Sequence, residues 1–315
     1  MQDQKYTQSM REGFGKALLE LGAKNSDIVA LTADVAESTK VDLFAQKFPE
    51  RFFDVGVAEQ NLVGIATGMA LEGKIPFAAG YASFLTGRAY DQIRILVAYN
   101  NANVKLIATH GGIATGPDGA THQMLEDIAM IRALPNITLI APADAKQAYS
   151  ATIAAAKHKG PIYLRLSRMD TPKVPQDENY KIGKAEILTE GNDILIISCG
   201  IMVYRALIAA AKLRREGIYA SVINCHTIKP LDTTTILSVV KNARGVVVAE
   251  DAQIIGGLGS AISELISSNR PKPVRIVGIR DKFGESGNPE DLITKYHIDV
   301  PDIIEESLKA FRRLC

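Results

Sequence analysis

The chain has 315 residues, 47% of them hydrophobic and 23% charged, with a formal net charge of +1. That length suits two domains with cores of full size, and the near-neutral balance gives no reason to expect a nucleic acid or a membrane surface as partner. No run of about 18 apolar residues is present to span a bilayer, and Cys199, Cys225 and Cys315 have the spacing of neither a zinc site nor a disulfide framework.

Residues 7–23 read as a helix, with Leu18, Leu19 and Leu21 apolar and Gly22 near its end. Residues 27–32 make a short buried strand, followed by a polar turn at 33–38 and a second helix. Residues 52–55 form another strand. A helix rich in small residues then runs from about Glu59 to Leu71. Next come a strand at 75–79, a helix from about Thr86 to Tyr99 and a strand at 104–109. A glycine-rich loop covers 111–119, and the alternation continues to Leu166. The stretch 171–180, with Pro172, Pro175 and mixed charges, lacks periodicity and reads as a linker. Strands at 193–198, 220–224, 245–250 and 274–278 and a helix at 203–216 follow. Apolar strands alternating with helices predict an α/β fold of two domains, each a mostly parallel sheet with helices on both faces. The domains are placed at 1–172 and 183–315, with a linker at 173–182. Ligands of such sheets sit at the carboxyl ends of strands, and Asp34, Glu59, His110 and Arg168 all fall just after predicted strands.

Four features bear on chemistry. Glu59, in DVGVAEQN, opens a helix, where an acid is ordinarily a surface cap. Here Gly56, Ala58, Gly64, Ala66, Gly68 and Ala70 predict a narrow, crowded helix and a partly desolvated carboxylate that shares a proton with a ligand nitrogen. The loop from His110 to Gln123 places His110, Asp118 and His122 together, residue types suited to proton transfer near neutral pH. Its glycines forbid the regular helix that an H-x-x-x-H metal site needs. Arg11, Ser38 and Arg168 are dispersed, but an arginine fork and a hydroxyl suit a phosphate. Gly256-Gly-Leu-Gly-Ser260 is not G-x-G-x-x-G and reads as the packing of a helix start rather than a dinucleotide loop.

In order, MREGFGKAL, TADVAEST, DVGVAEQN, YASFLTGRAYDQIR, THGGIATGPDGATHQ, YLRLSR, HTIKPLD, GGLGS and FGESGNP resemble the C-terminal portion of the transketolase family, from about residue 7 to 312. The resemblance implies a pyrimidine-binding domain followed by a transketolase C-terminal domain. It makes Glu59 similar to the glutamate that hydrogen-bonds N1′ of the aminopyrimidine of thiamine diphosphate and so activates that cofactor. Phe84 resembles the ring that stacks on the aminopyrimidine, Tyr90 a second wall of that pocket, and Asp34 a polar residue near the thiazolium. His110 and His122 resemble the pair at the sugar's reacting oxygens, and Asp118 the carboxylate at the adjacent hydroxyl. Arg11, Ser38 and Arg168 resemble the grip on the sugar phosphate. Gly87 stands where the family often has another aromatic, which loosens the pocket, and Pro117 where it commonly has an acid.

The family holds Mg²⁺ and the diphosphate through G-D-G and a later N-N. No G-D-G occurs here. The expectation is therefore a split enzyme: thiamine diphosphate shared with a separate N-terminal transketolase subunit that binds Mg²⁺, in an α₂β₂ assembly. Its reaction would move a two-carbon ketol unit from a ketose phosphate to an aldose phosphate, in the pentose phosphate pathway of the cytoplasm. The competing readings are a subunit like 1-deoxyxylulose-5-phosphate synthase or like the β subunit of a 2-oxo-acid dehydrogenase, and a non-catalytic interaction subunit.

Overall fold

The computed structural model of the protein describes residues 7–312; residues 1–6 and 313–315, Cys315 among them, lie outside the described residues. Its strands are β1 (Thr7–Gln8), β2 (Ile28–Thr32), β3 (Phe52–Asp54), β4 (Ile75–Tyr81), β5 (Lys105–Thr109), β6 (Thr138–Ile140) and β7 (Ile162–Arg165). They continue with β8 (Thr171–Pro172), β9 (Glu186–Thr189), β10 (Ile194–Ser198), β11 (Ala220–Asn224), β12 (Thr227–Lys229), β13 (Gly245–Gln253) and β14 (Val274–Ile279). One sheet runs β12-β6-β7-β5-β4-β2-β3 and a second runs β14-β13-β10-β11-β9. All neighbours are parallel except β12 with β6 and β9 with β11. The central strands β2, β5 and β10 are buried at every position, so their apolar runs need cover on both faces.

Helices supply that cover. In chain order they are α1 (Met10–Lys24), α2 (Ala36–Thr39), α3 (Asp42–Lys47), α4 (Glu59–Leu71), α5 (Ala82–Gln92) and α6 (Asp127–Arg132). The rest are α7 (Ala145–Lys157), α8 (Met202–Arg215), α9 (Thr233–Val240), α10 (Leu258–Asn269), α11 (Pro289–Lys295) and α12 (Val300–Arg312). On the first sheet, Met10, Phe14 and Leu18 of α1 and Ala148, Ala151 and Ala155 of α7 fill one core, and Leu62, Ala66, Leu85 and Ile128 of α4, α5 and α6 fill the other. Gly13 lets α1 and α7 touch: a Cβ there would lie 2.1 Å from the Ala145 carbonyl oxygen. On the second sheet, α8 and α12 cover one face and α9 and α10 the other.

The two sheets are stitched together. β12 lies in the second half of the chain yet extends the first sheet, and Lys229 at its end donates to the Arg132 and Leu134 carbonyls. Arg165 at the end of β7 is buried, pairs with Asp127 at 2.9 Å and donates to the Asp251 carbonyl.

Two predicted helices begin or end elsewhere. The first starts at Met10, because Thr7 and Gln8 pair with Thr171 and Pro172. The helix expected at 86–99 begins at Ala82, bends at Ala89 (φ −107°, ψ 20°) and continues as a π-helix over Ile93–Tyr99. The Gly-Gly-Leu-Gly stretch at 256–259 opens α10, and the Glu250 carboxylate accepts from the Leu258 and Gly259 N–H groups at 2.6 and 2.9 Å. The anion seat of that helix start is thus filled by the chain itself. Cys199 and Cys225 are buried free thiols.

Candidate functional site

Tyr81, the last residue of β4, is the hub of a cluster at the carboxyl ends of the first sheet. Its hydroxyl donates to Ser38 Oγ at 2.8 Å. Its ring centroid lies 3.9 Å from that of His110, 5.8 Å from Phe84 in a stacked pose and 6.0 Å from His122. His122 meets Phe84 edge-on at 5.0 Å. Four side chains singled out from sequence therefore converge on one that was not. Its signal was position, at the carboxyl end of a predicted strand.

His110 follows β5 with φ +62° and is 1% exposed. Its Nδ1 is 2.9 Å from Thr109 Oγ1. Burial pushes its pKa down to about 3, and Arg11, Arg168 and His122 push the same way. That seat favours the neutral imidazole, which suits hydrogen bonding with hydroxyl and carbonyl oxygens. His122 is half-buried, with Nδ1 2.9 Å from Thr121 Oγ1.

Arg11, Ser38 and Arg168 also come together. Arg11 donates to the Ser38 carbonyl at 3.0 Å and the Arg168 carbonyl at 3.2 Å, and its Nε is buried without a partner. Burial, then the nearby Arg168 charge, lowers its pKa. Arg168 donates to the Thr115 carbonyl at 3.3 Å and pairs with Asp118 at 3.6 Å. The two arginines border a cavity of about 900 Å³ between the sheets, with Asp170, Arg205, Glu290 and Asp299. None of His110, His122, Phe84 and Glu59 lines it, so this cavity meets the cluster through Arg11 and Arg168.

Glu59 is the first residue of α4, and its side chain is 6% exposed. Crowding by its own helix is not the cause. A Cβ at Gly64 or Gly68 would meet nothing within 4 Å, so the narrow face looks onto open space rather than the packed surroundings expected. Both carboxylate oxygens accept from Arg88 Nη1, at 3.1 and 3.2 Å. The Arg88 guanidinium carbon also lies 4.2 Å from the Phe84 ring centroid. Arg88 was missed as well; its signal is the i, i+4 spacing from Phe84 on one helix face.

Two residues stand apart from this contact network. The Asp34 side chain is exposed at the end of β2, where the residue takes φ +60° and its N–H donates to Asp54 Oδ1. The Tyr90 hydroxyl donates to the Met130 carbonyl at 3.0 Å, and its ring packs against the core. Tyr90 thus ties α5 to α6.

The second sheet clamps the loop that carries His110 and Asp118. Asp251 of β13 accepts from the Ile113 N–H at 2.8 Å. Gln123 donates to the carbonyls of Ile113, Gly116 and Glu285. Gly112 has φ +91°, and a Cβ there would lie 1.9 Å from Asp251 Oδ2. The arrangement offers cations for an anionic group, neutral donors and acceptors for hydroxyls, and a carboxylate beside an aromatic face for a planar basic ring. Among the described residues, no group of three or more His, Cys, Asp or Glu is placed to hold a metal ion, and no helix is long and apolar enough to cross a membrane.

Residues 7–173 match the profile of the transketolase pyrimidine-binding domain, and residues 183–303 that of the transketolase C-terminal domain. A putative transketolase C-terminal section of Methanocaldococcus jannaschii is 44% identical, over 96% of each chain. A 6-deoxy-6-sulfo-D-fructose transketolase subunit of Clostridium sp. (strain MSTE9) is 39% identical, over 96% of this chain and 95% of the relative. Among solved structures, a split-gene transketolase described as an inactive β4 tetramer superposes with a TM-score of 0.90 at 44% identity, covering 96% of this chain and 98% of that one.

Proposed function

Since the chain belongs to the transketolase family and is built from its pyrimidine-binding and C-terminal domains, we propose that it is the C-terminal subunit of a split transketolase that works with a separate N-terminal subunit. The observation that carries this reading is the buried Glu59 carboxylate joined through Arg88 to the Phe84 ring, which in turn meets His122 and Tyr81. The residues fit the aminopyrimidine half of thiamine diphosphate: a buried acceptor, an aromatic face and, at Gly87, open space where a Cβ meets nothing within 4 Å. We assign the diphosphate and Mg²⁺ to the N-terminal subunit.

Bound thiamine diphosphate supplies the carbon nucleophile that takes up and passes on a two-carbon ketol unit. Glu59 holds a proton at N1′ of the aminopyrimidine, and Phe84 orients that ring. Arg11 and Arg168 bind the terminal anion of the sugar, with Ser38 as a further polar contact. His110, neutral in its buried seat, hydrogen-bonds the reacting oxygens together with His122, and Asp118 takes the adjacent hydroxyl. Asp34 lies on the cofactor's side of the first sheet. A ketose phosphate is the donor in this reading and an aldose phosphate the acceptor.

The test is reconstitution with the chain that carries the diphosphate-binding half. Xylulose 5-phosphate with ribose 5-phosphate should be turned over only when both subunits, thiamine diphosphate and Mg²⁺ are present. Preference for pyruvate with glyceraldehyde 3-phosphate would move the chain to the synthase class. Tight, Mg²⁺-dependent binding of the cofactor by this chain alone would defeat the split-enzyme reading.

A further inference from the structure

The contacts of Arg88 with both Glu59 and Phe84 are not accounted for by the function proposed above. One guanidinium touches both groups assigned to the aminopyrimidine. Its Nη1 lies 3.1 and 3.2 Å from the two Glu59 oxygens, and its central carbon lies 4.2 Å from the Phe84 ring centroid. A flat cation that stacks on an aromatic ring while donating to a buried carboxylate has the shape, charge and hydrogen-bonding sense of a protonated aminopyrimidine. We infer that Arg88 occupies the aminopyrimidine's seat in the chain without cofactor and must leave it before the cofactor can enter. This inference rests on the reading of Glu59 and Phe84 as that seat.

Three features allow the exchange. The Arg88 side chain is half-exposed, at 51%, so withdrawing it from Glu59 returns the guanidinium to water at small cost. Gly87 beside it leaves the space above α5 open. The helix departs from regular geometry at Ala89, the very next residue, and continues as a π-helix from Ile93, so the backbone that carries Arg88 is not locked into a regular turn. The exchange is also required by charge. A second planar cation at the same carboxylate would stand beside a guanidinium of like sign. While Arg88 is in place, the Glu59 carboxylate is hydrogen-bonded and charge-matched rather than left buried alone. Arg88 is therefore a place-holder: it keeps the seat formed in the free subunit and weakens uptake of the ring.

The experiment titrates the purified full chain with thiamine, which has the aminopyrimidine but no phosphate, by saturation-transfer NMR. The variants are Arg88→Met, which keeps the stem but removes the guanidinium, Arg88→Gln as a second neutral form, and Glu59→Gln. Thermal melting confirms that each is folded. Displacing one half-exposed ion pair and one cation–π contact predicts that the Arg88 variants bind thiamine roughly ten-fold tighter than the parent chain, and that adding Glu59→Gln abolishes the gain. Equal or weaker binding by both Arg88 variants overturns the inference, and so does a lack of binding by any chain, since an emptied seat should be accessible. If Glu59→Gln still removes binding in the parent chain, the aminopyrimidine reading survives that failure. If Glu59→Gln changes nothing in any background, both fall.

Discussion

At His110 and Glu59, candidacy was legible in the sequence but the surroundings of the side chain were not. THGGIATGPDGATHQ marks His110 as a candidate. Its protonation depends on Arg11 and Arg168, which only the fold brings beside it, and on complete burial. With its pKa pushed from 6.5 to about 3, the folded chain takes up this proton later than the unfolded chain as pH falls. The contribution of His110 to stability is therefore full above about pH 6.5 and shrinks as the pH drops toward 3. Carbon-detected NMR of histidine Cε1 in the full chain should show one imidazole that stays neutral from pH 9 down to about pH 4. A His110 resonance titrating between pH 6 and 7 would refute the buried, neutral assignment. Glu59 makes the complementary case. Its motif is visible, yet its partner Arg88 is not, because the pairing spans two helices. In the reconstituted enzyme, Glu59→Ala should lower turnover by roughly two to four orders of magnitude, as loss of a group that positions a proton does, with the circular dichroism unchanged. Near-normal turnover would remove Glu59 from its assigned role.

Elements were legible where local pattern alone forms them. The helix from Glu59 to Leu71 and the strand Ala220–Asn224 stand as their sequence predicts. The π-helix at Ile93–Tyr99 is hidden, since nothing in Ile-Arg-Ile-Leu-Val-Ala-Tyr announces a wider turn. The glycine-rich stretch at 111–119 is plainly irregular in sequence, but its shape is imposed from the second sheet by Asp251. Replacing Asp251 by Ala removes the acceptor of the buried Ile113 N–H, at a cost of about 1–3 kcal/mol. It also frees the loop that carries His110 and Asp118. Asp251→Asn keeps an oxygen at that place and should cost less. The expected outcome is a lower melting temperature for Asp251→Ala, partly restored in Asp251→Asn, with KM for the sugar donor rising more than kcat falls. Equal melting temperatures for the parent chain and Asp251→Ala would show that the loop does not need this clamp.

At the scale of the whole molecule, alternating strands and helices disclose two α/β sheets, and the prolines near residue 173 suggest where the chain passes from one to the other. The alternation does not disclose that β12, three residues long and surrounded by second-sheet elements, becomes the edge strand of the first sheet. A segment that short carries no periodic signal. Its partner β6 is chosen by tertiary packing, helped by the contact of Lys229 with the Arg132 and Leu134 carbonyls. The buried Arg165 of the first sheet adds a second tie, since it holds Asp127 at the start of α6 and the Asp251 carbonyl on the second sheet. Breaking that ion pair from one side leaves a buried charge, which costs about 3–5 kcal/mol, so Arg165→Met should lower the melting temperature of the entire chain. A sheet that borrows its edge from the other half cannot melt independently of it. Calorimetry of the full chain should accordingly show one cooperative transition, and Arg165→Met should shift it without splitting it. A fragment ending near residue 173 would leave β6 unpaired on one side, an edge prone to association, and should be recovered as aggregate. Two separate transitions in the parent chain, or a soluble, sharply melting fragment, would mean that β12 and Arg165 join halves already stable apart.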